Sequence, residues 1–292
     1  AGRGVGITTA CLGIVRALDR EGIRVGFAKP VANREPDHTI PLLSLGAHFA
    51  IPPAVPRGEA EALLAAGDDQ TLMERVVAIA DQAGEDVEVL VVQGMHPEMG
   101  MVHSSRVNAL MLKALDAELV LVAAPADQTA AEVAETIAIA ARGYGALSDG
   151  RSVGAILNRV CERKGEPGDA DADSFGPGSA GCSGCAVSGL TEECLRTHRA
   201  ALEAEGLRPI AIVPCNSDLM APRVKDIGDA LHAQVLFPGE ARTRRVKDVA
   251  LCAMTVPNAM KAMKPGTLVV TPGDRMDILL AAAMTVQSGT PL

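Results

Sequence analysis

Five short apolar runs alternate with longer helical stretches between residues 22 and 214, and this alternation constrains the fold more than any other feature. The runs are "GIRVGFAKP", "VEVLVVQG", "AELVLVAAP", "SVGAILNRV" and "RPIAIVP", and each ends at or near a Gly, Pro or Asn. Helical patterns separate them, as at Thr8 to Glu21, Val107 to Leu115 and Thr129 to Arg142. Continuous apolar strands alternating with helices predict an α/β fold with a parallel sheet covered by helices on both faces. Ligands of such sheets bind at the carboxyl ends of the strands.

Composition agrees with this fold class and argues against two kinds of partner. The chain has 292 residues, of which 48% are hydrophobic, and this suffices for two domains with buried cores. Its net charge is −9, and no basic stripe with interleaved aromatic residues occurs, so we expect no nucleic-acid partner. No apolar run reaches the roughly 18 residues that span a bilayer, and no charged-then-apolar leader opens the chain. We therefore expect no membrane partner and a cytoplasmic location.

The opening residues, "AGRGVGITTAC", have the glycine spacing of a phosphate-binding loop. In such a loop backbone N–H groups surround phosphate at a helix N-terminus, a lysine reaches the outer phosphates, and a Ser or Thr hydroxyl binds magnesium. The residues that fit these roles are Gly2, Gly4, Gly6, Thr8 and Thr9. Ile7 stands where the lysine is required, and the alternative is a strand-to-helix turn without a ligand. Because such a loop follows a buried strand, we expect a strand upstream of Ala1.

The later part of the chain contains an insert and a second module. Residues 162–190 have few apolar side chains and many Gly, Ser, Asp and Pro, which predicts a flexible, exposed insert. It carries Cys182 and Cys185 in a C-x-x-C pair, whose alternatives are a zinc or redox role; four local ligands are lacking, so we predict no metal site. After "VLFPGEARTRRVKDVAL" the strand and helix pattern restarts. We predict a P-loop domain over residues 1–238 and an incomplete second α/β module over residues 239–292.

Six segments, taken in order, resemble the amino-terminal half of long-form bacterial phosphate acetyltransferases. They are "GRGVGITTACLGIVRAL", "FAKPVA", "VLVVQGMHP", "GAILNRV", "IVPCNSDLMAPRV" and "GEARTRRVKDVALCAMTVPNAM". That region looks like dethiobiotin synthetase joined to a module named for its Asp-Arg-Thr-Gly-Gly (DRTGG) motif. The resemblance implies a P-loop NTPase-like domain of the dethiobiotin or cobyrinate synthase type, then the start of a DRTGG domain, matched by "PGDRMDILLAA". It also implies that a further carboxyl-terminal domain transfers acetyl groups between coenzyme A and phosphate, and that the relatives are oligomers.

The resemblance assigns roles to particular positions. Dethiobiotin synthetase-like domains have a lysine before the P-loop threonine, the lysine of a Lys-Pro-Val stretch and a glutamate that ends a Val-Leu-Val-Glu-Gly strand. These residues serve phosphate, carboxylate and magnesium. Here Lys29 is kept, whereas Ile7 and Gln93 replace the other two. Asp37 matches an acidic position near the phosphates and the metal, and Asn158 matches an asparagine that reads adenine. Alternatives remain for two of them: Lys29 as a solvated strand end and Asn158 as a strand-end turn residue.

These substitutions predict a binding site without phosphoryl transfer. A missing positive charge at the phosphates and a missing carboxylate at the metal remove two electrostatic contributions on which phosphoryl transfer depends. We therefore predict no catalytic residue in this chain and a regulatory or assembly role, with a nucleotide or metabolite as effector and a homo-oligomer as the assembly. Acetyl-CoA and CoA would be substrates of the further domain. The alternatives are an ATP-dependent synthetase of the dethiobiotin type and a non-catalytic binding module.

Overall fold

The computed structural model describes residues 4–33, 39–40, 51–96, 103–145, 152–161, 190–290 and 292. These residues form two compact units. The first holds the described residues up to 161 and those from 190 to 214, and the second holds the described residues from 215 onward. The boundary predicted at residue 238 falls within the second unit, and as a boundary between domains it stays a prediction.

Helices and parallel strands alternate in the first unit. Its helices are α1 (Ile7–Arg20), α2 (Arg57–Ala65), α3 (Asp69–Ala83), α4 (Ser104–Ala114), α5 (Ala130–Gly143) and α6 (Glu192–Ala204). Its strands are β1 (Val25–Ala28), β2 (Val89–Val92), β3 (Leu119–Ala123), β4 (Val153–Val160) and β5 (Leu207–Pro214). All five predicted strands are present, and the predicted α/β fold with parallel sheets flanked by helices is confirmed.

Hydrogen bonding among the described strands of the first unit forms two parallel sheets rather than one. β1 pairs with β2, with Val25 opposite Val89. The other sheet has the order β3-β4-β5, with Leu119 opposite Val153 on one side and Val153 opposite Leu207 on the other. Lys29 directly follows β1, Gln93 directly follows β2, and Asn158 lies near the end of β4.

Helix α1 packs against both sheets of the first unit. Cys11 and Val15 lie in a buried cluster with Val25 and Phe27 of β1. Ile7 packs against that cluster and also against a second one, which contains Val122 of β3. The sequence of α1, "ITTACLGIVRALDR", has strong amphipathic periodicity. Its apolar side chains form a stripe that contacts strands of both sheets. This packing fixes where the N-terminus of α1 lies.

The second unit is smaller and repeats the same alternation. Its elements are α7 (Ser217–Met220), α8 (Val224–Ala230), β6 (Asp248–Leu251), α9 (Val256–Ala262), β7 (Thr267–Val270) and α10 (Met276–Gln287). β6 and β7 pair in parallel, with Asp248 opposite Thr267. Cys252, Ala259 and Ile278 form its buried core with Ala250 and Met263. The strand–helix–strand–helix pattern predicted after residue 238 is confirmed.

Two further sequence predictions concern the insert at residues 162–190 and membrane-spanning segments. The predicted insert, including Cys182 and Cys185, lies outside the described residues apart from Leu190. Across the described ranges, no helix has both the length and the apolar character needed to cross a membrane.

Candidate functional site

The glycine-rich loop forms an uncapped helix N-terminus. Gly4 and Gly6 have φ values of 68° and 85°, in the left-handed region that glycine adopts without strain. Gly6 is the N-cap of α1, and no side chain accepts from its first turn. The first backbone bond of the helix runs from Ala10 N–H to the Gly6 carbonyl at 2.9 Å. The N–H groups of residues 7 to 9 therefore have no acceptor within the helix, as an anion site requires.

The end of β4 holds this loop in place. The amide Nδ2 of Asn158 donates to the Val5 carbonyl at 2.9 Å, and the Arg159 guanidinium donates to the Gly4 carbonyl at 2.6 Å. A Cβ on Gly6 would lie 2.3 Å from Asn158 Nδ2, so residue 6 must be glycine for two reasons. Asn158 is thus a loop anchor in this structure, and its reading of adenine stays a prediction. Sequence reasoning did not find Arg159, because its partner is 155 residues away.

Gln93 connects the end of β2 to the loop. Its backbone N–H donates to the Ala28 carbonyl at 2.8 Å, which extends the pairing of β2 with β1 by one residue. Its side chain is 2% exposed, and Nε2 lies 3.4 Å from the Thr8 hydroxyl oxygen. The other amide atom, Oε1, is buried without a hydrogen-bond partner among the described residues. A buried polar atom in this condition is unusual and marks the position as a candidate ligand contact.

Lys29 follows β1 directly and is also buried. It is 2% exposed, and its Nζ donates to the Thr39 hydroxyl at 3.0 Å. The alternative of a solvated strand end is therefore wrong. Burial raises the pKa of the Cys11 thiol on α1, and the charge of Lys29 is close enough to oppose part of that rise. Lys29 and Gln93 thus lie at neighbouring strand ends near the start of α1, whereas Gly2 and Asp37 lie outside the described residues. Thr9 is exposed in the first turn of α1.

The loop after β2 is fixed by Asn108, which the sequence analysis also missed. Asn108 Oδ1 accepts from the Met95 N–H at 2.8 Å, and its Nδ2 donates to the Met95 carbonyl at 2.7 Å. A Cβ on Gly94 would approach Asn108 Oδ1 to 2.9 Å, so the loop passes close to this side chain. His96 contacts Asn33 (Nδ1 to Nδ2, 2.6 Å), and His103 is exposed before α4. Neither histidine belongs to a metal-ligand cluster within the described residues.

Burial of Cys11 gives a pH dependence that can be measured. Burial raises the pKa of this thiol from 9.0 to about 12, and the charge of Lys29 opposes part of that rise. A raised folded-state pKa contributes stability below about pH 9 that is lost as the pH rises towards 12. We expect the free energy of unfolding of the native chain, relative to Cys11→Ala, to fall by about 1 kcal/mol between about pH 8 and about pH 10. Urea unfolding of the native chain and of Cys11→Ala at both pH values measures this difference.

The matched control is Cys215→Ala, which removes a partly exposed free thiol. That variant should follow the native chain at both pH values, because it keeps Cys11. An equal pH dependence in the native chain and in Cys11→Ala would contradict the burial of Cys11 against the sheet.

The polar groups of this site do not fit a magnesium-bound triphosphate. Magnesium is usually held by one or two carboxylates together with phosphate oxygens, and Gln93 offers a neutral amide at the strand end where a carboxylate would serve. A lysine would reach the outer phosphates, and Ile7 instead packs into two apolar clusters. Within the described ranges, no group of three or more His, Cys, Asp or Glu could hold a metal ion. The described residues of the site retain a set of backbone donors, a hydroxyl, the buried amide of Gln93 and the buried ammonium of Lys29.

Two family models match the chain and together cover nearly all of it. The model described as an AAA domain matches residues 1–223, and the model described as a DRTGG domain matches residues 226–290. These matches confirm the resemblance read from the motifs, both for the P-loop domain and for the module that follows it.

Several curated relatives are similar to the chain over its whole length. Phosphate acetyltransferase of Pseudomonas aeruginosa is 37% identical over 297 residues, which cover 100% of this chain and 40% of the relative. That of Nitrosomonas europaea is 34% identical (100% and 39%), and that of Escherichia coli is 28% identical (100% and 41%). The chain matches the amino-terminal part of these relatives and spans about 40% of their length.

Proposed function

Because the chain belongs to the AAA domain family over residues 1–223 and carries a DRTGG domain over residues 226–290, we propose that it is the amino-terminal regulatory and assembly portion of a phosphate acetyltransferase. In this proposal, acetyl transfer between coenzyme A and phosphate takes place in a further domain outside residues 1–292. The chain itself binds a small-molecule effector at the N-terminus of α1.

The observation that carries the proposal is a retained binding loop beside lost transfer chemistry. Gly4 and Gly6 keep the left-handed conformations of the loop, and two side chains at the end of β4 hold its carbonyls. At the same time Ile7 and the neutral Gln93 occupy positions where phosphoryl transfer needs a cation and a carboxylate. A site built in this way can bind a ligand and act in regulation without transferring a phosphoryl group from that ligand.

Regulation requires that the ligand discriminate between two states of the whole enzyme. A ligand shifts an equilibrium by no more than its difference in affinity for the two states. The loop is connected to both sheets through α1, because α1 packs against residues of β1 and of β3. Ile7, next to Thr8, packs against both clusters, so a change at this end of α1 reaches the core of the first unit. Equal affinity of the active and inactive forms for the ligand would remove this basis for regulation.

Assembly and location are parts of the same proposal. A homo-oligomer is supported by α10, which exposes Met276, Leu280 and Met284 at 69%, 64% and 60%, since clustered exposed apolar side chains mark interaction surfaces. A cytoplasmic location is supported by Cys11, Cys215 and Cys252, which are free thiols. No partner among nucleic acids or membranes is proposed.

The proposal is tested by two activity assays on two forms of the protein. We expect the full-length natural protein to form acetyl phosphate from acetyl-CoA and phosphate, and residues 1–292 alone to form none. We also expect residues 1–292 to release no ADP from magnesium-ATP above the uncatalysed rate, because Ile7 and Gln93 replace the loop lysine and the carboxylate at the end of β2. Magnesium-dependent release of ADP that increases with a carboxylic acid substrate would instead favour a synthetase of the dethiobiotin type. A full-length protein without acetyl transfer would overturn the proposal.

A further inference from the structure

The glycine-rich loop, the N-terminus of α1 and Gln93 together form what we call the α1 site. This site differs from a magnesium–triphosphate site, and the differences favour a smaller ligand. We propose that this site binds one phosphate group, either inorganic phosphate or a phosphate monoester, directly and without a divalent cation. The inference deepens the proposed function, on which it rests for the biological role of the ligand but not for the binding event.

The backbone supplies donors for one phosphate group. The N–H groups of residues 7 to 9 precede the first helical hydrogen bond and are free of a side-chain cap. Successive N–H groups beside a left-handed residue form a concave anion site, and Gly6 at φ 85° provides that residue. The positive end of the 14-residue helix α1 adds a favourable potential for an anion.

Gln93 is the independent sign of a ligand at this position. It is 2% exposed, its Nε2 faces the Thr8 hydroxyl at 3.4 Å, and its Oε1 has no partner within the described residues. An unsatisfied buried polar atom costs about 1 to 3 kcal/mol. In the present orientation, Oε1 can accept a hydrogen bond from a protonated phosphate oxygen. With the amide turned, Oε1 accepts from Thr8 and Nε2 donates to the phosphate. In either orientation one buried amide atom of Gln93 is left without a hydrogen-bond partner among the described residues.

Two residues explain why the phosphate is single and free of metal. A triphosphate needs a positively charged side chain at its outer phosphates, and Ile7 is partly buried in apolar clusters on both sides of α1. Magnesium needs carboxylate ligands beside the phosphate, and the buried polar residue at the end of β2 is the neutral Gln93. A direct anion site loses nothing from either substitution, because its donors are backbone N–H groups and an amide, and the buried cation Lys29 lies at the neighbouring strand end.

Calorimetric titration of residues 1–292 tests the proposal with defined probes. The probes are inorganic phosphate, phenyl phosphate and ATP, each with EDTA and then with magnesium chloride. We expect phosphate or phenyl phosphate to bind equally well in both conditions, and the tighter of the two identifies the source of the phosphate. ATP should bind no more tightly with magnesium than without it. Binding of phosphate that requires magnesium, or no binding by either phosphate probe, would overturn the proposal.

A charge-changing variant tests the role of Gln93. Gln93→Glu places a carboxylate next to the anion and should weaken phosphate binding in EDTA about tenfold or more; magnesium should restore part of the loss. The matched control is Gln70→Glu, because Gln70 is an exposed residue of α3 bonded to Glu74. That variant makes the same charge change and should leave binding as it is. Equal effects of the two variants would contradict a ligand contact by Gln93.

A second pair of variants keeps the test informative if Gln93→Glu does not fold. Ile7→Lys should increase the affinity for ATP more than the affinity for inorganic phosphate, because the new cation reaches outer phosphates. Ile139→Lys, at a 57% exposed position of α5, is its control. Failure of acetyl transfer in the full-length protein with metal-free phosphate binding intact would remove the proposed function and leave this inference standing.

Discussion

Replacing Gly6 by alanine is expected to abolish anion binding at the α1 site and to lower the free energy of unfolding of the first unit by about 2 to 3 kcal/mol. Two causes add at this position. Alanine is strained at the φ of 85° that the loop requires, and its Cβ would lie 2.3 Å from Asn158 Nδ2. Relief of the clash breaks the bond from Asn158 to Val5 and displaces the loop. Calorimetric titration with phosphate and urea unfolding measure the two effects.

Gly4→Ala separates the two causes. Gly4 also has a left-handed φ, 68°, but a Cβ there would meet no atom of the described residues within 4 Å. The free energy of unfolding of Gly4→Ala should therefore fall by about 1 kcal/mol, from backbone strain alone. Because the clash in Gly6→Ala is with Asn158, the double variant Gly6→Ala with Asn158→Ala should be more stable than the sum of the single variants predicts. Additive effects, or equal effects of Gly4→Ala and Gly6→Ala, would contradict the loop geometry described above.

Asn108→Ala is expected to cost about 2 to 4 kcal/mol of stability and to weaken phosphate binding. Its side chain satisfies both the N–H and the carbonyl of Met95, at 2.8 and 2.7 Å. Met95 is 6% exposed, so water does not readily replace these bonds. Met95 lies two residues after Gln93, and loss of the clamp should let Gln93 move away from Thr8. Urea unfolding and phosphate titration of the same variant report both results.

The control for Asn108→Ala is Asn258→Ala. Asn258 is exposed on α9 in the second unit, so the same truncation removes no buried partner there. We expect its unfolding free energy and phosphate affinity to stay within error of the native values. An Asn108→Ala chain that keeps full stability, or that loses stability while phosphate binding is unaffected, would contradict the positioning of the site by this clamp.

The strands could be predicted because their signal is local. Each of β1 to β5 is an apolar run closed by Gly, Pro or Asn, and the structure places a parallel strand in every run. Helices α2 and α3 were not predicted, although Leu72, Val76 and Ala80 recur every four residues on the buried face of α3. The division of the strands into two sheets depends on pairing partners and could not be read from single segments.

The candidate site could be predicted in part. Glycine spacing located the loop at Gly4 and Gly6, and the resemblance added Lys29 and Gln93, which the structure brings to neighbouring strand ends. Arg159 was missed because a solvent-facing arginine at a strand end gives no sign of bonding a carbonyl 155 residues away. Asn108 was missed because its role depends on how α4 sits against the loop after β2. Such contacts follow from tertiary packing, which local sequence does not encode.

The most direct test of this account is the response of the backbone N–H groups of Ile7, Thr8 and Thr9 to phosphate. Amide NMR spectra of residues 1–292, recorded during a titration with inorganic phosphate in EDTA, measure it. The account predicts that these three signals shift together and saturate, since their N–H groups are the donors left free at the start of α1. Unchanged signals at residues 7 to 9 while others shift, or no shift at all, would contradict an anion site at this helix.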